Sequence, residues 1–299
     1  MDLKTLTEIN APSGHEQAIR RFLLDELKKL GFAPVLDRMG NVVVVKEGTG
    51  DAPRKRVMVS AHMDEVGLIV TSATEDGYLR IAAAGGIDPR VLVSKRVTVG
   101  EDKLPGVIGA VPIHLQSAAE RKHVLSMDEL LVDIGAKNKD EAECKAPMGT
   151  YISFDTPYVE YGDGFACGKA FDDRVGCLSL LRLLQEELPV DLVACFVSEE
   201  EVGCRGAKGA AFQQEPDVGI VLEGTTCNDL GDVPETAHVC EAGHGVAVSF
   251  MDGASIANRA LFRKALDVAK QENIPHQVKH SVSGGNDGGA IQRAREGVP

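Results

Sequence analysis

The sequence predicts an α/β protein: a mostly parallel sheet covered on both faces by helices, a three-layer arrangement, interrupted by a β-rich insertion. Three observations carry this. Helix-like and strand-like segments alternate before residue 67 and again after residue 157. Strands such as "RVMVSAH" and "DLVACFV" are apolar along most of their length, as strands buried on both faces are. Between Gly67 and Pro157 helical periodicity almost vanishes, and glycines punctuate short β-like pieces. The expected organisation is a discontinuous α/β domain of residues 1–66 and 158–299, with residues 67–157 as an inserted β-rich domain.

The elements follow in order. "SGHE" (Ser13 to Glu16) reads as a capping box, with Ser13 as N-cap and Glu16 three residues on. The next helix carries Ile19, Phe22, Leu23, Leu27 and Leu30 on one face and stops at Gly31. "NVVVVK" and "RVMVSAH" are strands, the first after a turn at Met39–Gly40. The insertion offers "GLIVTSA", "GYLRIAAAGG", "VLVSKRVTVG", "GVIGAVPIHL", "LLVDIGA" and "GTYISFD", enough for a small barrel or sandwich. One short charged helix lies near Lys137–Cys144. Beyond it, "DDRVGCLSLLRLLQEEL" is a helix whose first turn holds Asp172 and Asp173, where acids suit the dipole. "DLVACFV", "DVGIVLEG" and "VAVSFM" are strands; "GAKGAAFQQ" and the amphipathic "SIANRALFRKALDVAKQENI" are helices.

Composition excludes several classes of function. With 32 basic and 45 acidic residues the net charge is −13, and no basic stripe offers a surface for nucleic acid. No apolar run reaches the roughly 18–20 residues that span a bilayer, so no membrane association is expected. The N-terminus lacks the basic and apolar regions of a secretory signal. Seven cysteines lie scattered without CxxC spacing, so reduced thiols in a cytoplasm are expected.

In open α/β sheets, sites form beyond the carboxyl ends of the strands. Four segments deliver His or carboxylate there: His62 with Asp64, Asp172 with Asp173, Glu199 to Glu201, and Glu223. Each has a bland alternative, since "DD" before a helix also caps it and "EEE" also makes a solvated loop. Together, one His among carboxylates suits Zn²⁺, Mn²⁺ or Co²⁺. Carboxylates gathered out of water repel one another unless they bind protons or a cation. Two divalent ions bridged by one carboxylate would neutralise them, as in hydrolytic two-metal sites. Side chains alternate along extended backbone, so adjacent Glu200 and Glu201 are expected to point apart.

"SAHMDEVGLIV", "GKAFDDRVGC", "EEEVGCRGA", "VLEGTT" and "SGGNDGGAIQ" resemble, in order and spacing, the dinuclear metallo-aminopeptidases of the tetrahedral type. That family includes the glutamyl and deblocking aminopeptidases, which are often mislabelled endoglucanases. The resemblance covers essentially the whole chain. It implies that His62 ligates the first metal and that Asp64 orients the imidazole. It implies that Asp172 bridges two metals, that Glu201 binds the second and Glu223 the first, and that Glu200 is the general base. It further implies two Zn or Co ions per subunit, small peptides as substrates, and a peptidase sheet with an inserted PDZ-like barrel. That barrel would mediate dimerisation, with dimers assembling into a dodecamer. Two residues depart from the family pattern: Asn286 replaces Thr, and His244 replaces Lys. The family's last ligand of the second metal is a His beyond the position of Pro299. If the chain truly ends at Pro299 without that His, the alternative is an impaired or non-catalytic homologue. A metal-independent glycosidase is the other alternative, disfavoured by His62 and by the absence of Trp.

Overall fold

A computed structural model describes residues 2–299. The chain begins with α1 (Leu3–Thr7), capped by the Asp2 carboxylate, and α2 (Gln17–Lys29). Three strands follow: β1 (Val35–Leu36), β2 (Val42–Lys46) and β3 (Arg56–His62). The next six are β4 (Gly67–Ala73), β5 (Leu79–Ala84), β6 (Arg96–Val99), β7 (Leu104–Gly109), β8 (Leu131–Asp133) and β9 (Tyr151–Phe154). Helix α3 (Lys139–Lys145) lies between the last two. After the hairpin of β10 (Val159–Tyr161) and β11 (Phe165–Cys167) come α4 (Phe171–Leu183), β12 (Asp191–Val197), α5 (Arg205–Gln214) and β13 (Val218–Val221). The chain ends with β14 (Val246–Val248), α6 (Arg259–Gln271), β15 (His276–Val278) and α7 (Asp287–Gln292).

These elements form two compact units. One contains the chain up to Phe22, Met63–Phe171 and Glu201–Gly203; the other contains Leu23–His62, Asp172–Glu200 and Cys204–Pro299. In the first, β4 to β9 close into a barrel in the order β4-β5-β8-β7-β6-β9. Closure leaves no barrel strand with an open edge. Leu79 and Ile81 of β5 are buried while Arg80 between them is exposed, the alternation that fills a barrel from inside. Leu68, Val70, Val97, Ile108, Val132 and Ile152 complete that core.

Residues before Phe22, grouped by their helical pattern with the α/β part, pack in the barrel unit. Asn10 Nδ2 donates to Thr98 Oγ1 at 2.9 Å, and the His15 ring stacks on Tyr151 at 4.9 Å. The expected capping box does not form. Ser13 Oγ donates instead to the buried Asp64 carboxylate at 2.6 Å, and Glu16 accepts from the Gly14 N–H at 2.7 Å. The "SGHE" pattern is met by a turn tied to the segment after β3 rather than by a helix start.

In the second unit the sheet order is β1-β2-β12-β3-β13. The β12–β3 and β3–β13 pairs are parallel, whereas β1–β2 and β2–β12 are antiparallel. The sheet is therefore mixed rather than mostly parallel. A tight turn after Leu36 folds β1 back on β2, and β2 then runs against β12. Strands β14 and β15 pair in parallel as a separate two-stranded sheet. Every residue of β12 from Leu192 to Val197 is buried. Val193, Cys195 and Val197 cluster with Ala207, Ala210 and Ala211 of α5 and with Ala290 and Ile291 of α7. Each such Val, Leu or Phe contributes roughly 1.5–3 kcal/mol by leaving water.

Asn41, fully buried before β2, holds the carboxyl end of β12. Its side-chain oxygen accepts from Ser198 N–H at 2.9 Å, and its Nδ2 donates to Gly206 O at 3.0 Å and to Asp37 Oδ2 at 2.7 Å. Gly206 must lack a side chain, because a Cβ there would collide with Asn41 Oδ1 and the Ser198 backbone. Asn41→Ala is expected to leave the Ser198 N–H without its acceptor and to lower stability by about 1–3 kcal/mol, measurable by urea unfolding. An unchanged midpoint and slope would exclude this role.

Candidate metal centre

Register explains why acidic residues far apart in sequence converge. In the parallel pairing His62 lies beside Val197, and Ser60 beside Val221. The residues that follow β12 and β13 therefore leave the same sheet edge that His62 occupies. Glu223 follows two residues after Val221.

The first turn of α4 brings Asp172 to this edge. Its Oδ1 lies 3.2 Å from His62 Nε2, and Glu223 Oε1 lies 3.9 Å from the same nitrogen. Potential ligand atoms of His62, Asp172 and Glu223 all lie within 4.8 Å of one another. The His62 side chain is 1% exposed and that of Asp172 is 54% exposed, so the group opens to solvent on the Asp172 side. Gly224 gives Asp172 its room, since a Cβ there would lie 2.9 Å from the Asp172 carboxyl carbon.

Asp173 has a different task. It is fully buried, and its Oδ2 accepts from the His62 N–H at 3.2 Å while its Oδ1 accepts from Gly176 N–H at 3.1 Å. A side chain at 176 would collide with that carboxyl group. The Cys177 thiol adds a bond to His62 O at 3.2 Å. Burial pushes the Asp173 carboxyl well above the usual carboxylate range. A cis peptide joins Asp172 to Asp173.

Burial likewise pushes the Glu223 carboxyl up to about 10; nearby His62 opposes this, and the charges of Asp172, Asp173 and Glu200 add to it. Glu223 Oε2 is buried without a hydrogen-bond partner. Such an oxygen is costly unless a proton or cation satisfies it. The donor set of one imidazole nitrogen and carboxylate oxygens fits a borderline divalent cation such as Zn²⁺, Mn²⁺ or Co²⁺. A cation on His62, Asp172 and Glu223 would offset the burial cost and the neighbouring like charges that raise Glu223.

Past β12 the chain turns sharply. Glu199 has φ 54°, and Cys204 N–H, Arg205 N–H and Gly206 N–H donate back to Glu200 O, Glu199 O and Ser198 O. The strand ends at Val197, so strand alternation is not what separates Glu200 from Glu201. Both lie in the turn, and they belong to different units. Glu200 accepts from the Cys204 thiol at 3.2 Å, and its ligand atoms group with those of Cys204 and the buried Asp287. In the barrel unit, Asp64 accepts from Glu201 N–H at 3.2 Å as well as from Ser13. Beside it, Glu65 forms a buried pair with Lys169 Nζ at 2.8 Å.

The structure thus brings His62, Asp172 and Glu223 together, places Glu200 with Cys204 and Asp287, and places Glu201 with Asp64. Sequence reasoning brings Asp173 to this edge without giving it a role of its own, and passes over Asn41 and Asp287. Asp173 was visible as the second member of the "DD" pair, and Asp287 within "SGGNDGG". Asn41 carried no signal beyond its place before a strand. A cavity of about 220 Å³ borders the group, lined by Asp172, Glu223, Thr226, Val239, Asp252 and Lys279 among others.

Comparison with known proteins identifies the family and the fold. The family model of the M42 glutamyl aminopeptidases matches residues 40–299. The glutamyl aminopeptidase of Lactococcus lactis subsp. cremoris is 34% identical over 309 residues, covering 99% of this chain and 85% of that protein. The crystal structure of a TET aminopeptidase from the marine sediment archaeon Thaumarchaeota archaeon SCGC AB-539-E09 superposes with a TM-score of 0.94 at 32% identity, covering 99% of this chain and 85% of that one. The Pyrococcus horikoshii TET1 peptidase, described as able to assemble into a tetrahedron or a large octahedral shell, gives a TM-score of 0.84 at 32% identity, with coverages of 98% and 87%. A sheet edge bearing His and acidic residues, a closed barrel and these matches lead to one conclusion: the chain belongs to the M42 glutamyl aminopeptidase family of peptide hydrolases.

Proposed function

We propose that this protein removes N-terminal residues from small peptides at a two-metal site. The convergence of His62, Asp172 and Glu223 within 4.8 Å is the observation that carries this reading. His62 and Glu223 would hold the first ion, Glu201 the second, and Asp172 would bridge the two. Asp64 would orient His62. Bound divalent ions, Zn or Co, supply Lewis acidity to the scissile carbonyl and acidify water. Glu200 takes the proton of the attacking water and passes it to the leaving amine. Its carboxylate accepts from the Cys204 thiol at 3.2 Å, which restricts its orientation.

The cavity supports a preference for acidic N-terminal side chains. The oxygens of Asp252 already accept from Ala254 N–H, Ser255 N–H and Ser255 Oγ, so Lys279 presents the positive charge of that wall. A substrate carboxylate would pair with it.

We further propose a cytoplasmic homo-oligomer in which residues 67–157 mediate dimerisation and dimers build a dodecamer. Among the described residues no helix is long and apolar enough to cross a membrane. Val111, Ile113, Leu115 and Val124 expose apolar surface on one barrel-unit segment, as subunit contacts require.

Activity on aminoacyl-p-nitroanilides should vanish with a chelator and return with Zn²⁺ or Co²⁺; chelator-resistant cellulose hydrolysis would instead establish the glycosidase alternative. Glu200→Gln should keep its metal content and lose about 10²–10⁴-fold in kcat, whereas Glu201→Gln should lose one ion per subunit by elemental analysis. Lys279→Glu should lower kcat/KM on glutamyl substrates at least about tenfold relative to lysyl ones, through lost charge pairing; an unchanged ratio would remove Lys279 from the specificity pocket.

The metal-free protein should also show a pH signature. Folded Glu223 keeps its proton to about pH 10 and the unfolded chain loses it near 4.5, so in that window the folded state binds the extra proton. The contribution of Glu223 to stability then falls as pH rises. In chelator, wild type should lose stability relative to Glu223→Gln between about pH 5 and about pH 9. A thermal-midpoint difference that is constant with pH would contradict the buried, protonated carboxyl.

A further inference from the structure

The peptidase reading uses none of the thiols at Cys227 and Cys240, yet the fold sets them against each other. The Cys240 Sγ donates to Cys227 Sγ at 3.4 Å, and main-chain bonds hold the two residues in place. Val239 N–H and Cys240 N–H both donate to Cys227 O, at 2.8 and 3.3 Å. The segment 228–239 between them is an exposed loop containing only one short turn of 3₁₀ helix, Glu235–Ala237. It is held by few bonds of its own, such as Asn228 Nδ2 to Ala237 O at 2.9 Å. Leu230 at its tip is 72% exposed. The cysteines therefore form the neck of a loop. The neck adjoins the metal-site cavity, because Thr226 and Val239 line it together with Asp172 and Glu223.

We propose that Cys227 and Cys240 are a dithiol modification site for low-molecular-weight disulfides, closing to an intramolecular disulfide across this neck. The sulfurs need to approach by little more than an ångström, from 3.4 Å to ~2.05 Å, through side-chain rotation. The two cysteines take different parts. Cys227 is the more accessible of the two, half-buried, and accepts the Cys240 S–H. Cys240 is buried, and burial together with that bond pushes its thiol up to about 11. Cys227 thus attacks first. Its thiolate displaces one thiolate from the small disulfide and forms a mixed disulfide. Cys240, giving up its proton to solvent, then attacks the Cys227 sulfur and expels the second thiolate, which takes up a proton. The protein loses two protons and two electrons, and one disulfide molecule takes them up to become two thiols. Closure requires no activity at the metal site, so the inference stands apart from the peptidase reading.

Oxidised glutathione added to the metal-loaded, full chain is the test. Peptide mapping should recover a Cys227–Cys240 link, two hydrogens lighter than the free pair, that dithiothreitol reverses. The link should outnumber glutathione adducts on Cys227 at least about tenfold, because the resolving thiol is held in place. Cys240→Ser should instead trap the adduct on Cys227, and Cys227→Ser should abolish both products while the exposed Cys144 and Cys167 still react. After a single protease cut within 228–239, the oxidised chain should run as one band without reductant and as two with it. A wild-type chain whose Cys227 stays glutathionylated, or in which only Cys144 and Cys167 react, would overturn the proposal.

Discussion

A carboxyl group sealed from solvent determines where the exposed ones stand. Asp173 ties the main chain of His62 at the end of β3 to Gly176 in the first turn of α4. That double attachment places Asp172, its neighbour, within hydrogen-bonding distance of the His62 ring. The same bonds explain Gly176, whose missing side chain lets the carboxyl lie against the helix. A buried acid is a costly fastener, and its cost is reduced where main-chain N–H groups satisfy it and its proton is retained. The geometry of the acidic group thus rests on a residue that does not itself reach the solvent-facing side.

Two buried acids show how the protein separates structure from chemistry. Glu65 is matched by Lys169 and by the Ala11 N–H, which leaves it little to offer a ligand. Glu223 is less deeply buried, its side chain 20% exposed against 3% for Glu65, but one of its oxygens is unmatched and like charges lie nearby. Pairing gives a rigid support, whereas the unmatched group is held at a higher free energy that a cation can lower.

Much of this was legible in the sequence. The β-rich texture between Gly67 and Pro157 holds the strands of a closed barrel, and the apolar runs are the central strands β3 and β12. His62 and Glu223 meet because parallel strands end at a common edge, a rule of topology that apolar patterning exposes, and the start of α4 adds Asp172. What was not legible depended on partners distant in sequence. "SGHE" has the spacing of a helix cap, but Ser13 prefers Asp64, 51 residues on. The antiparallel β2 followed from where β12 inserts, which no local pattern records. Alternation failed at Glu200 and Glu201 because the strand stops three residues before the pair and a left-handed Glu199 intervenes.

The sheet order has a consequence for how the molecule comes into being. Strand β12 lies between β2 and β3, pairing with both, yet it follows β3 by more than a hundred residues that include the entire barrel. On a ribosome, β2 and β3 emerge early and wait with their inner edges open until residue 197 is made. The barrel strands, which pair only among themselves, can assemble in the interval. The most buried strand of the sheet is thus a late arrival, and the two edges awaiting it are where a stalled or slowly translated chain is most exposed to misassociation.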